Sequence, residues 1–170
     1  MSRYADQSNP ATIKRWIKEG RGQNTGRSYK PWLYPRDISS LGYSIRAPGQ
    51  ITGRMHSLLS NHERHFFQIL DWHPHITDIR EQYPLPLEQT LDLASNMGIT
   101  HSSCPRSKRP LVMTTDFLVT FVRGKEVAYS VKPKSKLCAR TLEKFAVEEA
   151  FWRRRGIEWK IVTEDEIPSA

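Results

Sequence analysis

The stretch MTTDFLVTFVRGKEVAYSVKP, residues 113–133, predicts two β-strands joined by a short turn. Both halves are rich in β-branched and aromatic residues, and the middle contains a glycine between two cations. If residues 123–125 form the turn, counting outward places Asp116 directly opposite Lys132. Because side chains alternate along a strand, Ser130 and Lys132 share one face. The hairpin therefore predicts a compact cluster of acidic and basic groups, which suits metal-assisted phosphodiester cleavage.

A second carboxylate lies upstream, in a segment with helical spacing from residue 56 to about residue 70. Leu59, Glu63, Phe66 and Leu70 fall on one face of the predicted helix. Glu63 thus interrupts an apolar stripe, where a carboxylate is costly to bury without a cation or a donor. The alternative is that Glu63 lies at the edge of the stripe and reaches solvent.

These residue types match the needs of a magnesium-dependent nuclease. Mg²⁺ prefers oxygen ligands and usually takes one or two protein carboxylates, which Glu63 and Asp116 would supply. Lys132 could stabilise the charge that develops on the phosphate or orient the attacking water. In the alternative interpretation, Asp116 and Lys132 form a cross-strand ion pair that contributes about 0.2–1 kcal/mol and has no chemical role.

Charge and composition predict a single globular domain that binds a polyanion. The chain has 170 residues and a net charge of +8, and most of that charge falls within residues 1–60. A solvated, soluble surface is the alternative explanation. Without an apolar run long enough for a membrane span or a secretion signal, the sequence predicts a cytoplasmic protein. The predicted DNA contacts are Lys14, Lys18, Arg21, Arg27, Arg54, Arg106, Lys108 and Arg109.

The order of predicted elements indicates an α/β fold with a mixed sheet flanked by helices. Residues 1–55 are predicted to form a basic amino-terminal helix and an extended DNA-contacting arm, and residues 56–170 the catalytic core. Within the core we predict further elements, in addition to the hairpin and the early helix. They are a strand at 76–83, a helix at 87–96, a helix at about 139–155 and a strand at 158–163.

Six short motifs, in order along nearly the whole chain, resemble the amino-terminal domain of the TnsA family. They are Lys18–Gln23, Gly53–Ser60, Ile79–Leu85, Thr115–Val119, Val131–Pro133 and Arg140–Lys144. The TnsA family comprises endonuclease subunits of heteromeric bacterial transposons. The resemblance implies a restriction-endonuclease-like fold.

The resemblance also implies an activity and partners. It implies Mg²⁺-dependent cleavage, with Mn²⁺ able to substitute, of the 5′ strands of double-stranded DNA at transposon ends. A TnsB-type transposase would cut and join the 3′ ends, and a TnsC-type ATPase would regulate the complex. The catalytic residues of the family fall on Glu63, Asp116 and Lys132. At Ser130 the family often has Gln or Glu, and this position binds metal through its backbone carbonyl.

Two alternative functions stay open from the sequence. The chain could be a catalytically silent DNA-binding accessory of the transposition complex, an interpretation that Ser130 motivates. It could also be a free-standing restriction-like nuclease that needs no transposase.

Overall fold

The computed structural model describes residues 6–38 and 45–168. Within these ranges the chain forms four α-helices and six β-strands. In chain order they are α1 (Pro10–Lys18), β1 (Ile45–Pro48), β2 (Met55–Leu58), α2 (Asn61–Asp71), β3 (Ile76–Pro84), α3 (Leu87–Asn96), β4 (Thr114–Phe121), β5 (Glu126–Val131), α4 (Ala139–Arg154) and β6 (Glu158–Val162).

The central sheet has the strand order β3-β4-β5-β6. Strand β4 is antiparallel to both of its neighbours, β3 and β5, whereas β5 and β6 are parallel. Parallel neighbours need a crossover connection, and α4 provides it. Strands β1 and β2 form a separate antiparallel hairpin. The predicted α/β class and mixed sheet are confirmed, and the architecture is consistent with a restriction-endonuclease-like fold.

Hydrophobic cores cover both faces of the central sheet. On one face α2 packs against the sheet through residues that include Phe66, Phe67 and Phe117. On the other face α3 and α4 pack through residues that include Leu93 and Trp152. Helices on both faces give the three-layer arrangement of many α/β domains. We refer to these two layers as the α2-side core and the α4-side core.

Helix α2 begins later than the sequence pattern predicts. Residues 55–58 form β2 and pair with β1, so the helix starts at Asn61 instead of residue 56. Ser60 is the N-cap, and its hydroxyl accepts a hydrogen bond from the Glu63 N–H. Leu59 consequently lies outside the helix, and the predicted stripe is shorter by one residue. The spacing Ser-x-x-Glu is a helix-start signal that is already present in the sequence.

The register of the β4-β5 hairpin differs by two residues from the predicted one. Thr120 pairs with Glu126 and Phe117 with Tyr129, because the connection spans five residues, not three. Arg123 adopts a left-handed conformation with φ of 67° inside this turn. A shift by two preserves which side chains share a face. Continuing the register sets Asp116 opposite Ser130, so the prediction that it lies opposite Lys132 is wrong.

The amino-terminal segment packs against the outer edge of β3. The Tyr29 hydroxyl donates to the Glu81 carbonyl at 2.9 Å, and the Trp32 N–H donates to the Gln82 carbonyl at 3.0 Å. These contacts cover an edge strand that would otherwise expose unpaired backbone groups. The division of the chain at residue 55 stays a prediction, and parts of the predicted arm, residues 1–5 and 39–44, lie outside the described residues.

None of the helices in the described ranges has both the length and the apolar character needed to cross a bilayer.

Candidate active site

The Glu63 carboxylate is fixed at the amino end of α2 by short-range hydrogen bonds. The Ser60 hydroxyl donates to Glu63 Oε1 at 3.2 Å, and the Leu59 N–H donates to Glu63 Oε2 at 3.1 Å. The Glu63 residue is only 7% exposed. Burial therefore excludes the alternative in which this side chain simply reaches solvent, and the carboxylate is held in one place.

Asp116 reaches β5 at an interruption in the side-chain alternation of β4. Phe117 packs in the α2-side core, whereas Thr115 donates a hydrogen bond to Glu148 of α4 on the opposite side of the sheet. Regular alternation would place these two residues on the same side. At this irregularity Asp116 Oδ2 accepts a hydrogen bond from the Val131 N–H at 2.7 Å. The Asp116 carboxylate thus accepts the hydrogen bond that a backbone carbonyl of β4 would accept in a regular β4-β5 pairing.

Gln82 of β3 lies beside the two carboxylates and was not predicted as a site residue. Its φ of 46° is unusual for a strand residue other than glycine, and such strain is often found at functional sites. The Gln82 side-chain nitrogen donates to Glu63 Oε2 at 3.3 Å, and the residue is 2% exposed. A spacing pattern cannot reveal a left-handed residue inside a strand. The motif Ile79–Leu85, one of the six that resemble the TnsA family, was the one sequence signal that pointed to this position.

Lys132 directly follows β5 and lies near both carboxylates. Its N–H donates to the Val162 carbonyl at 2.9 Å, which keeps this end of β5 joined to β6. Its positive charge favours the ionised forms of both Glu63 and Asp116. Among the ion pairs of the described residues, none within 4.0 Å joins Asp116 to Lys132. The alternative of a simple cross-strand ion pair therefore has no support in the geometry.

The Glu63 and Asp116 carboxylates repel each other in a buried setting. Burial, and then the charge of Asp116, raise the pKa of Glu63 to about 8. Burial raises the pKa of Asp116 to about 6, although the Val131 N–H, the Lys132 charge and the Gln82 amide oppose this rise. Burial thus disfavours the charged form of both groups, and for Glu63 the charge of Asp116 adds to this cost. A bound cation would reverse this electrostatic cost.

Ser130 does not direct its side chain toward Asp116. Its hydroxyl donates to Glu148 Oε2 at 2.6 Å, on the α4 side of the sheet. The Val131 N–H points toward β4, whereas the Lys132 N–H points toward β6. In a strand, the N–H and C=O of one residue face the same neighbouring strand. The Val131 carbonyl therefore faces Asp116, and this geometry favours it over the Ser130 carbonyl as a backbone ligand.

A third buried carboxylate, Glu148 of α4, lies behind Ser130. It also accepts hydrogen bonds from the Thr115 hydroxyl at 3.1 Å and from the Trp159 indole at 3.4 Å. Burial raises the pKa of Glu148 to about 8, and the charge of Asp116 acts in the same direction. The sequence offers two adjacent glutamates here, and only the orientation of α4 decides which is buried. Through these hydrogen bonds Glu148 links α4 to β4 and β5 near the Glu63–Asp116 pair.

The donor set fits a cation of the magnesium type. Within residues 6–38 and 45–168, no three His, Cys, Asp or Glu side chains are grouped to hold a metal ion. The available donors are the Glu63 and Asp116 carboxylates with the Val131 carbonyl, all of them oxygen atoms. Mg²⁺ takes oxygen ligands and keeps several waters, so two carboxylates are sufficient. A set without imidazole or thiolate favours Mg²⁺ or Mn²⁺ over Zn²⁺.

Comparison with known proteins supplies the family. Residues 73–164, more than half of the chain, match the family described as TnsA-like endonuclease N terminal. The chain belongs to the TnsA-like endonuclease family. It is also 40% identical to the Transposon Tn7 transposition protein TnsA of Escherichia coli, over 98% of its own length. The chain spans 62% of the length of that relative. The resemblance found in the six motifs is thereby confirmed.

Two arginines predicted to bind DNA form buried ion pairs within this TnsA-like fold. Arg21 donates to Asp37 at 2.7 Å and to the Trp32 carbonyl at 2.8 Å, and its side chain is 5% exposed. Arg54 forms a two-pronged ion pair with Glu81 at 2.9 and 2.6 Å. Both guanidinium groups are thus bound to acceptors within the fold, which does not favour the predicted contacts with phosphates, and those contacts stay a prediction.

The other predicted DNA contacts of the TnsA-like protein are exposed. They are Lys14, Lys18, Arg27, Arg106, Lys108 and Arg109. Lys14 and Arg109 line an apolar groove, which suits a sugar-phosphate backbone poorly. The remaining four lie on open surface, where contact with phosphates is sterically allowed.

Proposed function

We propose that this chain is the Mg²⁺-dependent DNA endonuclease subunit of a heteromeric transposase. It cleaves the 5′ strands at transposon ends in the bacterial cytoplasm, while a TnsB-type partner cuts and joins the 3′ ends and a TnsC-type ATPase regulates the complex. The observation that carries the proposal is the buried Glu63–Asp116 pair with Lys132 alongside, in a member of the TnsA-like endonuclease family. The relative described as a Tn7 transposition protein supports the assignment to transposition.

Each residue of the site has a role that follows from its position. Glu63, Asp116 and the Val131 carbonyl would hold Mg²⁺, which neutralises phosphate charge and lowers the pKa of a bound water. Lys132 orients the attacking water or stabilises negative charge on the phosphate. Gln82 fixes the orientation of the Glu63 carboxylate. In this scheme the Ser130 hydroxyl donates a hydrogen bond to Glu148. The backbone ligand to the metal is the Val131 carbonyl instead of the predicted Ser130 carbonyl.

Contacts between the exposed cations and DNA phosphates would position the DNA without recognising its base sequence. Lys18, Arg27, Arg106 and Lys108 are the residues assigned to phosphates. Phosphate contacts carry no direct sequence information and weaken steeply with salt. Recognition of the transposon end would therefore come from the partner transposase.

A reconstituted cleavage assay tests the proposal. End-labelled duplex carrying the transposon terminus is incubated with this chain, its partner transposase and the ATPase regulator. We expect a nick in the 5′ strand with Mg²⁺ or Mn²⁺ and none after chelation with EDTA. Assembly on DNA without any 5′ nick would instead identify a silent accessory. Cleavage of plain DNA by this chain alone would identify a free-standing nuclease.

We expect Mg²⁺ to stabilise the folded chain more strongly at pH 8 than at pH 6. The pKa of Glu63 is raised to about 8 in the fold, well above the roughly 4.3 of a free glutamate. The stability that this group contributes is present at low pH and is lost as the pH rises through 8, and Glu148 adds to the same trend. The Tm of the metal-free chain should fall from pH 6 to pH 8, and saturating Mg²⁺ should restore it.

Asp116→Asn provides the control for this stability measurement. The substitution removes the charge that opposes Glu63 ionisation and also removes a ligand. The variant should have a higher Tm than the wild type at pH 8 without metal, and little response to Mg²⁺. A response equal to that of the wild type would place the metal elsewhere.

A further inference from the structure

A large groove lies between α1 and the segment that leads from β3 into α3. It encloses about 680 Å³, a volume within the range of specific binding sites. Its lining comes from α1, the turn before Trp32, the Pro84–Glu88 segment, residues 109–112 and the end of α4. The groove is thus built from parts of the chain that are distant in sequence.

The lining of the groove is mostly apolar. Aliphatic and proline side chains, among them Ile13, Ile17 and Leu87, line it together with the aromatic residues Trp32, Tyr83 and Phe151. Ile17 is 52% exposed, which is unusual for an isoleucine beside other apolar residues. Trp32 and Phe151 are only 3% and 1% exposed, so Tyr83 is the partly exposed aromatic residue of the lining. Stacking of bases uses open aromatic faces, whereas exposed aliphatic and proline side chains suit the branched side chains of a peptide.

The rim of the groove is positively charged. Lys14, Arg109 and Arg155 line it, against Glu88 as the single acidic residue of the lining. Arg155 is held in place with its guanidinium 4.0 Å from the centre of the Phe151 ring. The groove therefore combines an apolar floor with a cationic rim, which complements a segment that is apolar in its centre and acidic at its edges.

The groove also adjoins the candidate active site. Trp32 and Tyr83 both line it, and they flank Gln82. The Trp32 N–H donates to the Gln82 carbonyl, while the Gln82 side chain donates to Glu63. A ligand in the groove would therefore lie beside residues that adjoin Gln82.

We propose that this groove is a docking site for an acidic, apolar peptide segment of a partner protein. The apolar centre of the segment would cover Ile17 and Leu87, and its carboxylates would meet Lys14 and Arg155. Burial of aliphatic area would supply most of the affinity, while the charges would set orientation and speed association. The site is separate from the metal ligands, so it is tested without any cleavage assay.

Selection from a random peptide library displayed on phage, with the full chain immobilised, tests this proposal. We expect selected sequences rich in Leu, Ile, Phe or Pro with flanking Asp or Glu. A selected peptide, labelled with fluorescein, should bind Ile17→Glu about 30-fold more weakly than the wild type. Val122→Glu is the matched control, because Val122 is 45% exposed in the β4-β5 turn, away from the groove. Both variants should keep the wild-type Tm.

The charge of the rim is tested separately with the same labelled peptide. Lys14→Gln should weaken binding about threefold, and added salt should remove this difference. Selected peptides without acidic residues, or equal binding to Ile17→Glu, would overturn the proposal. Displacement of the peptide by single-stranded DNA would reassign the groove to nucleic acid. Self-association of the chain that Ile17→Glu abolishes would reassign it to a second copy.

Discussion

Asp116→Ala is expected to abolish nicking of the 5′ strand, with a loss of about a thousandfold or more. Asp116 is one of two carboxylates in the proposed metal site, and its partner Glu63 is buried and anchored by Ser60. Removing Asp116 leaves a single carboxylate and an unpaired Val131 N–H. Lys132→Ala should cause a loss of about a hundredfold or more, because the charge beside the metal site disappears while both ligands remain.

The measurement is the rate of 5′ nicking in the reconstituted complex. Binding to DNA and assembly with the partner transposase should remain at wild-type levels, because neither residue lies on the exposed surface that contacts phosphates in this proposal. Asp92→Ala and Lys125→Ala are matched controls, since both residues are exposed and neither is a proposed metal ligand or phosphate contact. Wild-type nicking by either Asp116→Ala or Lys132→Ala would show that the site has been misassigned.

Glu81→Ala is expected to lower the free energy of unfolding by about 3–5 kcal/mol, the typical cost of breaking a buried ion pair from one side. Glu81 is fully buried and accepts hydrogen bonds from Arg54, His56 at 2.8 Å and the Ser57 N–H at 3.1 Å. Burial alone would raise the pKa of Glu81, but the hydrogen bonds from Arg54 and His56 outweigh it and lower the pKa to about 2.

The lowered pKa of Glu81 sets the pH range in which its ionised carboxylate stabilises the fold. This stabilisation is fully present above the unfolded pKa of roughly 4.3 and is lost as the pH falls through 2. At neutral pH the alanine variant leaves the Arg54 charge buried and unpaired, and this accounts for the large effect.

Urea unfolding at pH 7 measures the loss. Glu158→Ala is the matched control, because Glu158 pairs with exposed lysines and its removal should leave the midpoint almost unchanged. Combining Glu81→Ala with Arg54→Met should recover part of the lost stability, since no charge is then left unpaired. A loss below about 1 kcal/mol for Glu81→Ala would mean that water or another acceptor replaces the glutamate.

Local patterns predicted several elements almost to their ends. The strand predicted at 76–83 and the helix predicted at 87–96 are observed as β3 and α3, and the long helix before β6 ends within one residue of the predicted position. These segments have periodic apolar residues and clear boundary signals, such as Pro84 and Gly156. The order of six motifs was also sufficient to indicate the family.

Long-range contacts decided the β4-β5 register and the partners of the arginines, which local sequence patterns could not predict. A register shift of two residues leaves the apolar pattern of a hairpin unchanged, so nothing local distinguished Ser130 from Lys132 as the residue opposite Asp116. Likewise, an arginine in a basic segment has the same sequence signature whether it meets a phosphate or a buried glutamate. Arg54 finds Glu81, a residue 27 positions away, only after the chain folds.

The sequence by itself determined the α/β class and the family and led to the proposal of Glu63, Asp116 and Lys132 for the site, because those follow from short-range periodicity and motif order. Only the tertiary structure decided how the site is assembled. The Trp32 N–H binds the carbonyl of Gln82, which has a left-handed conformation, and the alternation of β4 is interrupted where Asp116 meets the Val131 N–H. Both features depend on contacts between separate segments of the chain, which no local pattern of the sequence encodes.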